Sequence, residues 1–170
     1  MAQVKRFIPE GSTLLDIGSG DGQFVRGMMG HVKHAVGIEP SLTQSFQGRG
    51  YKLIAGRFPD DLPAGKTFDV ITLLAVLEHL PRQVQGCLGD AFVASLNTGG
   101  RVVITVPSPR VDDILHLLLR LRLIAGIALH EHYGFKPADT LGLFPMPHFR
   151  VLRRSTFQLG LNNLFVFERT

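Results

Sequence analysis

The stretch Leu14-Leu15-Asp16-Ile17-Gly18-Ser19-Gly20-Asp21-Gly22-Gln23-Phe24 constrains this chain more than any other. Thr13 to Ile17 is an apolar run with the length of a short buried strand, and glycines then fall at alternate positions, Gly18, Gly20 and Gly22. A chain needs glycine where its backbone leaves a strand sharply and a ligand must come close. Phe24, Val25, Met28 and Met29 follow at helical spacing, so the loop is expected to open on a helix N-terminus with its amide donors free. Strand, glycine loop and helix together make a nucleotide cradle.

The glycine spacing bears on which nucleotide. A dinucleotide fingerprint runs G-x-G-x-x-G, but here Gln23 stands at its third glycine position and the third glycine is Gly22. A second strand, Val36-Gly37-Ile38-Glu39, ends in an acid placed to grip a ribose diol. Dehydrogenases use the same device, so Glu39 alone says "nucleoside".

Four blocks together carry a resemblance. The loop G-x-G-x-G after acid-ended Asp16 resembles motif I of the class I S-adenosylmethionine-dependent methyltransferases, and Glu39 matches their second acid. Phe68-Asp69-Val70-Ile71-Thr72-Leu73-Leu74-Ala75-Val76-Leu77-Glu78-His79-Leu80 resembles the family's fourth-strand motif, with the Glu-His pair of many small-molecule members. Gly99 to Pro107 resembles its fifth-strand motif. The blocks keep the family's order and spacing from Thr13 to Pro107.

The resemblance implies an α/β, three-layer Rossmann-like fold with a seven-stranded, mostly parallel sheet and one antiparallel strand in a C-terminal β-hairpin. It implies S-adenosyl-L-methionine as cofactor. Asp16 and the Gly18 backbone would face the methionine amino group, Ser19 belongs to the same loop, and Gly20 and Gly22 would give the backbone clearance. Glu39 would hold the ribose, and backbone at Leu74 and Ala75 would close over the methionyl part. Many members place an acid after strand three to meet the adenine; this chain has Arg57 and Phe58 there. Either Phe58 stacks on adenine with Asp60 or Asp61 supplying the acceptor, or Asp60, Asp61 and Pro63 merely build a turn. Asp16 has a second reading as a cap for the following helix.

For chemistry, His79 is a candidate general base at the start of the segment beyond strand four; the alternative is that Glu78-His79 braces the turn. His132 and Tyr133 are the other candidates for substrate contact. His130 and His132 lack a further ligand cluster, so no metal site is assigned. Arg150, Arg153 and Arg154 form either a solvated strand face or a receiver for an anionic group.

The local pattern supplies the remaining elements. Helices are expected over Asp21 to Gly30, Pro40 to Gly48, Pro81 to Leu96, Asp112 to Leu129 and Pro137 to Phe144. Further strands are expected over Lys52 to Gly56, His148 to Leu159 and Leu164 to Arg169. The 170 residues make one methyltransferase domain, within which 110–147 is expected to be a helical substrate-side lid. Arg120 and Arg122 interrupt its apolar run, so this segment does not span a membrane, although an interfacial contact stays open.

The formal charge of +4 is mildly basic, but no block of Lys or Arg is dense enough to argue for nucleic acid, which is not expected as a partner; an anionic substrate or simple solubility explains the excess equally well. Cys87 is the only cysteine, read as a small core filler in a reducing compartment. No apolar signal segment is evident at the N-terminus, and the expected location is cytoplasmic. The expected activity is methyl transfer to oxygen or nitrogen of a small-molecule acceptor. The alternatives are an RNA or protein acceptor, or an inactive binding protein of the same fold.

Overall fold

The computed structural model describes residues 2–108, 136–144 and 147–170. Its centre is an eight-stranded sheet of β1 (Thr13–Ile17), β2 (His34–Glu39), β3 (Phe46–Gly48), β4 (Tyr51–Ala55), β5 (Phe68–Leu74), β6 (Leu96–Pro107), β7 (Phe149–Phe157) and β8 (Asn162–Arg169). The spatial order is β3-β4-β2-β1-β5-β6-β8-β7. β4, β2, β1, β5 and β6 run parallel, while β3 and β8 oppose their neighbours. The central strands are apolar on both faces because a parallel sheet is covered on both sides; Leu14, Leu15, Val70 and Ile71 are all fully buried.

The two faces carry different layers. Leu15, Ile17, Val36, Ile38 and Ile71 face one way, toward α3 (Arg82–Ser95). Leu14, Ala35, Leu53 and Val70 face the other, toward the short helices α1 (Ala2–Lys5) and α2 (Gln23–Gly27). On the α3 side, Phe58 stacks on Phe92 at 5.9 Å between centroids, Phe92 on Phe144 at 5.6 Å, and Phe144 on Phe167 at 3.6 Å. This aromatic column ties the middle of the sheet to the C-terminal hairpin.

The sheet has eight strands where seven were expected, and the difference has a local cause. The helix expected over Pro40 to Gly48 does not form. Glu39 instead takes the amide and hydroxyl of Ser41, and Ser45 Oγ accepts the Ala55 amide at 3.0 Å. Side-chain bonds of this kind compete with the helix ladder. Phe46–Gly48 then turns through Arg49-Gly50 and pairs antiparallel with β4, adding an edge strand. The hairpin of β7 and β8 is as expected, with β8 the antiparallel strand inside the sheet.

Other boundaries moved less. α2 is shorter than the helix expected from Asp21, and Pro81 is the N-cap of α3 rather than its first residue. The segment expected as a helix from Pro137 is a 3-10 helix, Pro137–Leu143. Cys87 lies on the exposed face of α3, which corrects its reading as a core filler. The helix expected over Asp112 to Leu129, with His130, His132 and Tyr133, lies outside the described residues, as does most of the 110–147 lid. Among the described residues no helix is long and apolar enough to cross a membrane, and no cluster could hold a metal.

Candidate cofactor site

The chain runs from β1 outward through β2 to β4, then returns to β5 and β6 on the other side of β1. Strand order therefore reverses at β1 and β5, and ligands of open α/β sheets bind outside the carboxyl ends at such a point. A cavity of about 460 Å³ opens there. Its walls include Gly18, Glu39, Phe58, Asp60, Ala75 and His79. The volume falls within the range of roughly 300–1,000 Å³ usual for cofactor and small-molecule pockets.

The glycine loop is sewn to β2. Both Gly18 and Ser19 amides donate to the Ile38 carbonyl, at 2.9 and 3.3 Å, and the Gly20 amide donates to Glu39 Oε2 at 3.1 Å. Gly22 donates to the Ser19 carbonyl, and Gln23 to Asp21 Oδ1. The Gly18, Ser19, Gly20, Gly22 and Gln23 amides are thus spent inside the chain. A pyrophosphate needs such donors, so the loop is a poor dinucleotide cradle; a cationic ammonium does not need them.

The glycines divide their work. Gly18 has φ +73, and a methyl there would collide with Val76, which folds over the loop from beyond β5. Gly20 has φ +53 and open space where its side chain would be, so it leaves clearance for a ligand. At Gly22 the missing methyl makes room for Leu53 on the α2 side, and Gly22 is not in the cavity wall.

Glu39 is half-buried at the cavity. Oε1 accepts the Ser41 amide at 2.9 Å and its hydroxyl at 2.6 Å. Burial works to raise its pKa, but the Ser41 and Gly20 hydrogen bonds outweigh it and hold the carboxyl below its ordinary value. Three of about four acceptor positions on a carboxylate are filled this way, leaving one on Oε2.

Asp16 stands elsewhere. Along a strand alternate residues face opposite sides, so Asp16 points away from Ile17 and the cavity, 3% exposed, and accepts the Thr72 hydroxyl at 2.6 Å. Burial pushes its pKa up to about 7; the Thr72 bond opposes the shift and the Glu39 charge adds to it. No helix cap is made by Asp16, since the N-cap of α2 is Gly22. Ser19 Oγ is buried near Gly37 with no hydrogen-bond partner among the described residues.

At the end of β5, Leu74 packs on the α2 side and Ala75 enters the cavity wall with φ +57. A non-glycine residue at such an angle is strained, and strain of this kind gathers at functional sites. Leu77–His79 then makes one 3-10 turn that buries Glu78 and leaves His79 exposed at the cavity. Gln85, buried in α3, braces this turn: its Nε2 donates to the Leu77 carbonyl at 3.1 Å and the Leu80 carbonyl at 2.8 Å. Sequence reading missed Gln85. The available signal was a polar residue in the apolar series Gln85, Leu88, Phe92 at helical spacing.

After β4, Asp61 Oδ2 accepts the Arg57 amide at 2.7 Å and so builds the turn, while Asp60 lines the cavity. Phe58 borders the cavity, with its ring also stacked on Phe92. Leu80, Pro81, Val84 and Leu88 supply an apolar wall that sequence reading did not assign. Arg150, Arg153 and Arg154 lie on the far edge strand β7, Arg150 paired with Glu168 and Arg154 over the Phe165 ring. All three are exposed, and none lines the cofactor cavity.

Comparison with known proteins agrees with this geometry. The Methyltransferase domain family model matches residues 1–144. Comparison with curated proteins yields no match. Among solved structures, the chain is similar to N-methyltransferase NodS from Bradyrhizobium japonicum in complex with S-adenosyl-l-homocysteine, with TM-score 0.69 and 18% identity over 99% of this chain and 84% of that one. It is similar to Burkholderia thailandensis 1,6-didemethyltoxoflavin-N1-methyltransferase, with TM-score 0.71 and 16% identity over 99% and 76% of the two chains. A third similar structure is the complex between the Haloferax volcanii Trm112 methyltransferase activator and the methyltransferase paired with it, with TM-score 0.75 and 14% identity over 99% and 88%. With the family model covering the sheet through Phe144, the chain belongs to the methyltransferase-domain family and is a class I, S-adenosylmethionine-dependent methyltransferase.

Proposed function

We propose that this enzyme methylates an oxygen or nitrogen of a small-molecule acceptor, in the cavity at the carboxyl ends of β1, β2, β4 and β5. The observation that carries the reading is the convergence there of Gly18, Glu39, Ala75 and His79 around one 460 Å³ space. The residues fit S-adenosylmethionine: Gly20 leaves an open approach, and the inward-turned amides suit an ammonium rather than a phosphate. When bound, the cofactor supplies a methyl on a sulfonium, whose leaving group needs no protonation.

The chain's own residues do the positioning. Glu39 accepts one ribose hydroxyl at the open side of Oε2, and a second by release of the Ser41 hydroxyl to water. Gly18 and Ser19 form the floor, and the backbone at Leu74 and Ala75 closes over the methionyl part. Phe58 and Asp60 meet the adenine. Asp16 acts from behind the loop, through Thr72 and the β1–β5 pairing, as a positioning residue. His79 takes the proton where the acceptor carries a hydroxyl or protonated amine. His132 and Tyr133 remain proposed acceptor contacts.

A small acceptor is supported by the apolar wall of Leu80, Pro81, Val84 and Leu88 and, among the described residues, by Arg57 being the only lysine or arginine in the wall. The similar toxoflavin enzyme, which holds 1,6-didemethyltoxoflavin, supports a small acceptor, and NodS as an N-methyltransferase supports nitrogen as the atom methylated. A cytoplasmic location belongs to this proposal, with the single exposed thiol of Cys87 consistent with a reducing compartment.

The test is methyl transfer from labelled S-adenosylmethionine into a cell extract split into metabolite, protein and RNA fractions. Label in the metabolite fraction is expected. Label confined to protein or RNA would move the acceptor to a macromolecule, and no label with cofactor bound would make this a binding protein.

A further inference from the structure

We propose that the chain carries a second binding site, for a phosphate-bearing small molecule, at the amino ends of its strands. A cavity of about 300 Å³ opens there, on the α3 face but at the opposite end of β1, β2 and β4 from Gly18 and Glu39. Lys52, His34 and Thr13 line it from the adjacent strands β4, β2 and β1, and Lys66 joins them from the turn before β5. Strand register fixes their grouping. Thr13 is paired with His34, and Lys52 with Val36, two residues along the same face. Neighbouring strands lie about 4.8 Å apart, so these side chains share one short row.

The row carries an excess of positive charge. Among the described residues no Asp or Glu lines the cavity, and neither lysine nor His34 forms an ion pair. The adjacent carboxylate, Asp69, is ionised and held by the Thr13 amide and hydroxyl and by Asn97, so it offsets only part of the two lysine charges. Two ammonium groups and an imidazole over an apolar floor of Val36, Ile54 and Phe68 suit a dianionic head with an organic body. The volume, at the lower end of small-molecule pockets, exceeds what a bare ion needs. The cavity exists because Gly56 to Thr67 crosses this part of the sheet as turns, with no helix laid over it.

The experiment is an amide-resolved NMR titration at fixed ionic strength with two probes, phenyl phosphate and inorganic pyrophosphate. Saturable shifts are expected at Thr13, His34, Lys52 and Thr67. Affinity should fall by about tenfold in Lys52→Gln/Lys66→Gln, with S-adenosylhomocysteine binding unchanged. Lys66→Gln alone, on an exposed turn, gives the same direction of change should the double variant fold poorly. Tighter phenyl phosphate identifies an organic phosphate that uses the floor, and tighter pyrophosphate a free polyphosphate. Absence of saturable shifts, or affinity unaltered in both variants, overturns the proposal. So does a uridine oligonucleotide that binds about tenfold tighter than either probe and is lost in the same variant, which would make this an RNA face.

Discussion

Glu39 Oε2 accepts the amide hydrogen of Gly20 at 3.1 Å, so the acid that ends β2 clasps the loop that leaves β1. The same carboxylate holds Ser41 at the start of the next segment. One side chain therefore shapes the cavity mouth and presents the remaining acceptor position to it. Glu39→Ala should weaken S-adenosylhomocysteine binding by about 2 kcal/mol, or roughly thirtyfold, as expected for losing charge-assisted hydrogen bonds. Arg153→Ala, on the far edge strand, should leave it unchanged. Equal effects in calorimetry would mean the ribose is held elsewhere.

The loop glycines should respond differently from one another. Gly18→Ala combines a left-handed backbone with a collision against Val76 and should cost about 2–5 kcal/mol of stability. Adding Val76→Ala should recover the collision part but not the backbone part. Gly20→Ala meets no neighbour and should cost only about 1–2 kcal/mol of stability, with its larger effect on cofactor affinity. Urea denaturation of the three variants separates these; similar losses at Gly18 and Gly20 would contradict the placement of Val76.

Asp16 gives a pH signature. Its folded-state pKa of about 7 lies above the ordinary 3.8, so between those values the folded chain holds a proton that the unfolded chain has released. Stability from this group falls as pH rises through that window, and the penalty is complete above it. Asp16→Asn keeps an oxygen for Thr72 and removes the charge. Relative to the parent, it should gain on the order of 3–4 kcal/mol between pH ~4 and pH ~8. Denaturation curves at both ends check this, and a difference that does not change with pH would refute it.

Gln85 should matter out of proportion to its distance from the chemistry. Gln85→Met keeps the volume but leaves the Leu77 and Leu80 carbonyls without their side-chain donor. A loss of about 1–3 kcal/mol in stability is expected, together with a fall in kcat from a loosened His79. Unchanged kcat with lowered stability would show that the turn does not position His79.

The parallel core was legible because buried strands announce themselves as short apolar runs, as at Leu14-Leu15 and Val70-Ile71. Gly18 and Glu39 were legible because loop chemistry follows residue type. Three things were hidden. The β3 hairpin depends on Glu39 and Ser45 taking backbone amides, a local competition that periodicity does not encode. The inward use of the loop amides depends on the Ile38 carbonyl, supplied by another strand. The facing of Asp16 away from the cavity wall follows from strand alternation once β1 is fixed, whereas the family resemblance implied only that it faces the methionine amino group directly or through water.

The central claim is that the crevice between β1, β2 and β5 takes an adenosyl amino-acid cofactor and not a dinucleotide. Calorimetric titration of the purified protein with S-adenosylhomocysteine and with NAD measures this directly. The account predicts saturable one-to-one binding of S-adenosylhomocysteine and none of NAD. Binding of NAD alone would contradict it.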